Sequence, residues 1–231
     1  MFYCPDILHS FTLSEEESQH AVRVLRLQAG DELEVVDGAG GYYLAVVTNP
    51  HPKHCEFEIK ETITEYGKRD YRLHIAIAPT KNIERLEWFI EKCTEIGVDE
   101  ITPLLCRFSE RKIIKPERLE KIIVSAAKQS LKAYFPILNP MCSFRDFIQQ
   151  TTVSQKFIAH CYEQDKQLLQ QVYQKSSDAV ILIGPEGDFS PEEVQAAIQH
   201  QFQPVSLGSS RLRTETAGVV ACHTVALMNE K

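Results

Sequence analysis

Apolar and polar residues alternate in short blocks over the first seventy positions, and a different rhythm follows. Ser14, with Glu17 three positions on, has the form of a capping box and predicts a short helix through about Leu25. Glu32–Asp37 then alternates as a strand, Gly38–Gly41 turns the chain, and Tyr42–Thr48 returns. Glu56–Tyr66 alternates again, with Phe57, Ile59, Thr62 and Ile63 as its candidate buried positions. Strands so closely spaced predict a β-barrel of about five or six strands over residues 1–70. The polar stretch Gly67-Lys68-Arg69-Asp70 is the natural linker to a second domain, residues 71–231.

Past the linker, apolar runs alternate with helical stripes. Leu73–Ala78 is a continuous apolar strand, and Ile83–Ile96 has helical spacing with Leu86, Phe89, Ile90 and Cys93 on one face before Gly97 closes it. Ile101–Cys106 is a second strand. Pro116–Leu131 is a helix with Leu119, Ile122, Ile123 and Ala126 inward. Phe157–Cys161 and Val180–Ile183 are further strands. Ser190-Pro191-Glu192-Glu193 opens a helix to His200, Val205–Leu207 is a last short strand, and Thr214–Met228 is an apolar final helix. Strands alternating with helices imply an α/β domain with a parallel sheet covered on both faces. Ligands of such sheets bind beyond the C-terminal ends of the strands.

Composition narrows the class. A hydrophobic content of 43% and a charged content of 25% are ordinary for a globular protein. Met1–Ser10 has no basic region followed by an apolar run, so no secretory signal is expected, and no apolar stretch approaches the ~20 residues of a membrane span. The seven cysteines are scattered and never form Cys-x-x-Cys, which argues against a disulfide framework or zinc site and for a reducing cytoplasm. The net charge of −7 lies in the first seventy residues, with 6 Lys/Arg against 13 Asp/Glu. Within the neutral remainder, Arg107–Lys132 holds 8 basic and 3 acidic residues. Two readings of that stretch stand: a patch for a polyanion, or a helix with a solvated basic face.

Two glycine-bearing loops occupy ligand positions of the expected sheet. The first, Ile183-Gly184-Pro185-Glu186-Gly187-Asp188-Phe189, joins a strand to a capped helix. A tight turn accounts for its glycines and proline, but not for a Glu held between Pro and Gly. The second, Leu207-Gly208-Ser209-Ser210-Arg211-Leu212-Arg213-Thr214-Glu215-Thr216-Ala217, carries two arginines at the start of the last helix. Cations there oppose the helix dipole, which is explained by an expected anion or by a structural ion pair to Glu186 or Glu215. Phosphate-loop and dinucleotide-binding motifs are missing, and no His-x-x-x-His occurs, so neither a nucleotide hydrolase nor a metalloenzyme is indicated.

Taken together, Ile183-Gly184-Pro185-Glu186-Gly187, Leu207-Gly208 and Leu212-Arg213-Thr214-Glu215-Thr216-Ala217 resemble the bacterial 16S ribosomal RNA uridine-N3 methyltransferases of the knotted (SPOUT) superfamily. Glu87–Val98 resembles the family's first helix and Phe108-Ser109-Glu110-Arg111 its Ser-Glu-Arg loop. His20–Arg26 followed by Gly30-Asp31 resembles the RNA-contacting signature of its PUA-like barrel. The resemblance implies a trefoil knot in the C-terminal domain, a homodimer, and S-adenosyl-L-methionine held by Ile183, Gly184, Pro185, Glu186, Gly187, Leu207, Gly208, Leu212, Thr214 and Ala217. It also implies a uridine substrate in 16S rRNA, presented by the assembled small ribosomal subunit; from the residue spacing, no metal and no membrane partner is expected. Asp188 stands where many relatives have a second glycine. Lys128-Gln129-Ser130-Leu131-Lys132 stands where many have Glu-Gln-Ser-Gly-Arg, without the arginine fork.

Methylation at N3 requires an unpaired or flipped base and loss of the N3 proton. Arg213 or Arg211 is expected to stabilise negative charge on the uracil carbonyls, with Glu186 either orienting it or shaping the loop. His20, Arg23 and Arg26, with Arg107, Arg111 and Lys128, are expected to meet RNA. Two other functions fit similar motifs: a knotted methyltransferase for another RNA base, and a non-catalytic RNA-binding factor of ribosome assembly.

Overall fold

The structure is a computed structural model that describes residues 1–230. It divides into two compact units, one comprising residues 1–68 and 124–135, the other residues 69–123 and the chain from Pro136 on. The division falls inside the Gly67–Asp70 stretch, and residues 124–135 group with the first unit.

In the first unit, β1 (Phe2–Tyr3) precedes α1 (Glu15–Gln19), which continues as a π-helical turn over His20–Val24. Ser14 caps α1 by accepting the Glu17 N–H at 3.3 Å. The Glu17 carboxylate makes no reciprocal bond to the cap; it pairs with Lys128 instead. Three strands follow, β2 (Glu32–Val36), β3 (Tyr42–Asn49) and β4 (Glu56–Ile63), in the order β1-β2-β3-β4. The period-two pattern drives Tyr43, Ala45 and Val47 of β3 into a core with Val35, Leu13, Ile7 and Phe57. Four strands are thus formed among the described residues of this unit, with isolated Thr12–Glu56 and Ala39–Tyr134 bridges beside them, fewer than the five or six expected. Phe57 is buried and Ile59 partly so, but Thr62 and Ile63 are exposed. On β4 the alternation outlasts the core it serves.

The second unit is an α/β layer. Its strands are β5 (Leu73–Ile77), β6 (Glu100–Leu105), β7 (Ile137–Leu138), β8 (Cys142–Ser143), β9 (Gln155–Ala159), β10 (Gln167–Leu168), β11 (Ala179–Ile183) and β12 (Gln203–Ser206). Its helices are α2 (Ile83–Ile96), α3 (Pro116–Gln129, whose last turns belong to the first unit), α4 (Phe144–Gln150), α5 (Leu169–Val172), α6 (Pro191–Gln199) and α7 (Thr214–Asn229). Every strand pairing is parallel, in the order β10-β12-β9-β11-β5-β6-β7, with β8 also on β6. All five residues of β11 are buried, as a strand covered on both faces requires. One face carries Phe144, Phe147, Val194 and Phe202 of α4, α6 and the segment after it; α7 packs on α2 through Gly218, where a Cβ would fall 2.4 Å from the Phe89 ring.

Two local signals set the elements that hold the site. Asn82 caps α2 and Gly97, at φ +116°, ends it. Ser190 and Glu193 form a reciprocal capping box at the start of α6. Late strands enter between earlier ones: β11 lies between β9 and β5, and β12 between β10 and β9. This interleaving brings the loops after β9, β11 and β12 together at one edge.

Candidate cofactor and substrate site

In the loop after β11, Ile183, Gly184 and Pro185 are buried while Glu186 and Gly187 are exposed. A Cβ on Gly184 would stand 3.1 Å from the Phe189 nitrogen and ring, so a side chain there would require Phe189 to give by a few tenths of an ångström. Asp188 adopts φ +67°, a left-handed conformation that glycine takes freely and Asp tolerates. Its carboxylate accepts the Cys161 N–H through Oδ2 and the Phe189 N–H through Oδ1, both at 2.8 Å. An aspartate in a glycine position thereby ties the loop after β11 to the loop after β9. Glu186 Oε1 accepts the Lys81 N–H at 2.9 Å. Arg111 donates from Nε to the Thr80 carbonyl at 3.0 Å and from Nη2 to the Lys81 carbonyl at 2.6 Å. Three loops at the strand ends are therefore joined through Arg111, Lys81 and Glu186.

After β12, the Ser206 hydroxyl accepts the Gly208 N–H at 3.2 Å and donates to the Gly208 carbonyl at 3.0 Å. Gly208 has φ +133° with nothing within 4 Å of a would-be Cβ, so its backbone shape, rather than crowding, demands glycine. Arg211 and Arg213 are exposed, and among the described residues neither guanidinium has a hydrogen bond or ion pair. The ion pairs that could have explained them are not formed: Glu186 holds Lys81, and Glu215 Oε1 faces Arg85 Nε at 3.9 Å. Two unpaired cations beside the N-terminus of a sixteen-residue helix leave an anion-binding corner.

Two adjoining clefts occupy the junction of these loops, of about 550 and about 300 Å³. Gly187, Leu207, Gly208, Leu212 and Ala217 line the larger; Ile183, Gly184, Pro185, Glu186 and Thr214 line the smaller, where Leu212 and Ala217 recur. All ten positions expected to hold a cofactor thus meet at one place. The loop after β9 adds His160, Cys161, Tyr162 and Lys166, which no local pattern marked. Lys166 Nζ donates to the carbonyls of His160 and Tyr162, at 2.5 and 2.7 Å, and the Tyr162 hydroxyl donates to the Phe189 carbonyl at 2.7 Å. Burial, helped by the Lys166 charge, pushes the His160 imidazole below its ordinary pKa. His160 Nε2 is buried without a partner.

A third cleft, of about 570 Å³, shares Arg211, Leu212 and Arg213 with the smaller one. Arg85 and Trp88 of α2 and Glu215 of α7 line it together with both arginines.

The residues expected to meet RNA divide into two groups. His20, Arg23, Arg26 and Arg107 are exposed, His20 resting edge-on against Phe2 at 5.9 Å. Arg26 itself has φ +59°, at the end of the π-helical turn. Arg111 and Lys128 are engaged within the chain, Arg111 on two carbonyls and Lys128 on the buried carboxylate of Glu17. Arg118 pairs with Glu87, so the basic stretch 107–132 presents less free charge than its composition suggests. Among the described residues no group of three or more His, Cys, Asp or Glu could hold a metal, and no helix is long and apolar enough to cross a membrane. All seven cysteines are free thiols.

Comparison with known proteins places these features. Residues 68–226 match the model of an RNA methyltransferase domain, and residues 13–60 that of an RNA methyltransferase PUA domain. The chain is 33% identical to ribosomal RNA small subunit methyltransferase E of Synechocystis sp., over 91% of this chain and 70% of the relative. A crystal structure described as a probable rRNA methyltransferase from Porphyromonas gingivalis superposes with a TM-score of 0.94 at 45% identity, covering 99% of this chain and 97% of that one. Ribosomal RNA small subunit methyltransferase E from Neisseria gonorrhoeae, solved with S-adenosyl methionine bound, has a TM-score of 0.81 at 27% identity, over 96% and 94% of the two chains. A PUA-like unit ahead of an all-parallel α/β unit with interleaved strands is the fold expected from the resemblance, that of the knotted methyltransferases. The chain belongs to the RNA methyltransferase family of bacterial ribosomal RNA small subunit methyltransferase E, within the knotted superfamily.

Proposed function

We propose that this protein transfers a methyl group from S-adenosyl-L-methionine to N3 of one uridine of 16S rRNA in the small ribosomal subunit. The observation that carries the reading is the convergence of both glycine-bearing loops on one pair of clefts at the strand ends. The clefts suit a nucleoside cofactor. Their combined size is in the range of small-molecule sites, Gly208 leaves open space beside its backbone, and the buried Nε2 of His160 lacks a partner there.

When bound, the cofactor supplies a methyl group on a positively charged sulfur. The chain's own work is to hold and shape. Ile183–Gly187 and Leu207–Gly208 present main chain to the cofactor, and Leu212, Thr214 and Ala217 complete its walls. Arg213 or Arg211, both unpaired, stabilises negative charge on the uracil carbonyls. Glu186 shapes the loop by holding the Lys81 amide, the contact it makes in this chain. His20, Arg23 and Arg26, with Arg107, supply phosphate contacts. A homodimer in the cytoplasm suits a family whose active sites form beside a subunit interface and whose substrate is a ribosomal subunit. Mass spectrometry of rRNA from cells lacking the protein tests the reading: loss of one methyl at a small-subunit uridine supports it. A methyl lost from another base points to a sister activity, and no loss at all points to a non-catalytic assembly factor.

A further inference from the structure

Glu215 is a buried carboxylate to which neither loop assigns a task. It lies in the first turn of α7 and is only 7% exposed. Its Oε2 is buried without a hydrogen-bond partner, and the nearest cation, Arg85 Nε, stands 3.9 Å from Oε1, beyond hydrogen-bond reach. A buried carboxylate oxygen with no donor is destabilising, so a donor arriving with a ligand would satisfy it.

The surroundings specify that ligand. The cleft lined by Glu215 also presents Glu84 and Arg85 from α2, Arg211 and Arg213 from the preceding loop, and Trp88, a residue 42% exposed. An aromatic face stacks a base, the cations meet flanking phosphates or carbonyls, and a carboxylate oxygen accepts an imide N–H. Arg211 and Arg213 also wall the smaller cofactor cleft, so the two clefts adjoin across them. Of the other carboxylates nearby, Glu84 and Glu186 are exposed, Glu186 already accepts the Lys81 amide, and Asp188 accepts two backbone N–H groups.

We propose that this cleft receives the target uracil and that the Glu215 carboxylate, turning its unpartnered oxygen toward the cleft, takes the proton from N3. The inference rests on the uridine methylation proposed above. The electron pair of the N3–H bond becomes available at N3 for the new N3–methyl bond. The methyl–sulfur bond breaks with its pair left on sulfur, and the proton ends on Glu215 as a neutral carboxylic acid.

The test is Glu215→Gln, nearly the same in shape, assayed on small subunits that lack the methyl. We expect kcat to fall by a factor on the order of 10² to 10⁴, with cofactor affinity by calorimetry unchanged. The deficit should narrow as pH rises and the uracil loses its N3 proton to solvent. A deficit constant across pH, a loss of cofactor affinity, or near wild-type turnover would each overturn the assignment. Trp88 is the only tryptophan in the chain, so its emission reads this cleft in the wild-type protein whatever the variant's folding. A uracil-bearing oligoribonucleotide should quench it more strongly than the same oligonucleotide with N3-methyluracil; equal quenching would overturn the proposal. An inactive wild-type protein would instead count against the methylation itself.

Discussion

Replacing Asp188 separates two properties that one residue combines, a left-handed backbone and a carboxylate that ties two loops. The carboxylate accepts the Cys161 N–H at 2.8 Å across 27 residues of sequence. A hydrogen bond to a charged acceptor contributes about 1.5–3 kcal/mol, and because Cys161 is exposed the lower end, about 1.5 kcal/mol, applies. At φ +67° an alanine adds a steric cost of about 1 kcal/mol beyond that of Asp, whereas glycine relieves one of similar size. Asp188→Ala should therefore lose about 2.5 kcal/mol and Asp188→Gly only about 0.5 kcal/mol. Asp188→Asn, which keeps an oxygen acceptor and tolerates the conformation, should fall between wild type and Ala. Urea unfolding monitored through Trp88 emission measures the series. Equal stability of the Ala and Gly variants, or a Gly variant below Ala, would refute the separation of backbone from carboxylate effects.

Other substitutions probe other parts. Lys128→Ala leaves Glu17 buried and unpaired and should cost about 3 kcal/mol of stability by denaturant midpoint; a stable variant with weakened RNA binding would restore Lys128 as a phosphate contact. Arg23→Ala with Arg26→Ala should weaken RNA binding and flatten its salt dependence, leaving cofactor affinity by calorimetry intact; lost cofactor binding would contradict the division of labour. Arg213→Ala should lower turnover at saturating substrate on the order of 10²-fold, and near wild-type turnover would remove it from charge stabilisation. Gly218→Ala forces a methyl against Phe89 between α7 and α2 and should destabilise by about 1–3 kcal/mol in thermal unfolding.

Where a structural decision is local, the sequence was legible. An apolar stripe and Gly97 mark α2, and Ser190 with Glu193 fixes the start of α6. The glycine-bearing loops were readable for the same reason, since their backbone shapes are set within a few residues. What is not legible locally depends on partners remote in sequence. Lys128 looked like a free cation until Glu17, 111 residues away, was found against it. Arg111 looked equally free, yet its fork closes on carbonyls some thirty residues earlier. His160 follows a strand with no motif around it, and the cleft near it exists only because β11 and β12 enter between earlier strands. Glu215 stands in a recognisable motif, but its burial depends on how α7 packs on α2. The strand count of the first unit failed differently: alternation continues to Ile63 after the core has ended, and periodicity alone cannot see that.

The proposed activity is one reaction on one substrate. Small ribosomal subunits from cells lacking the protein, incubated with purified enzyme and S-adenosyl-L-methionine carrying a labelled methyl, test it directly. Label is expected in 16S rRNA as N3-methyluridine at a single position, reduced on the order of 10²-fold when Arg213→Ala replaces the wild type at matched concentration and time. Label on another base, or no transfer by a wild-type protein that binds the cofactor, would contradict it.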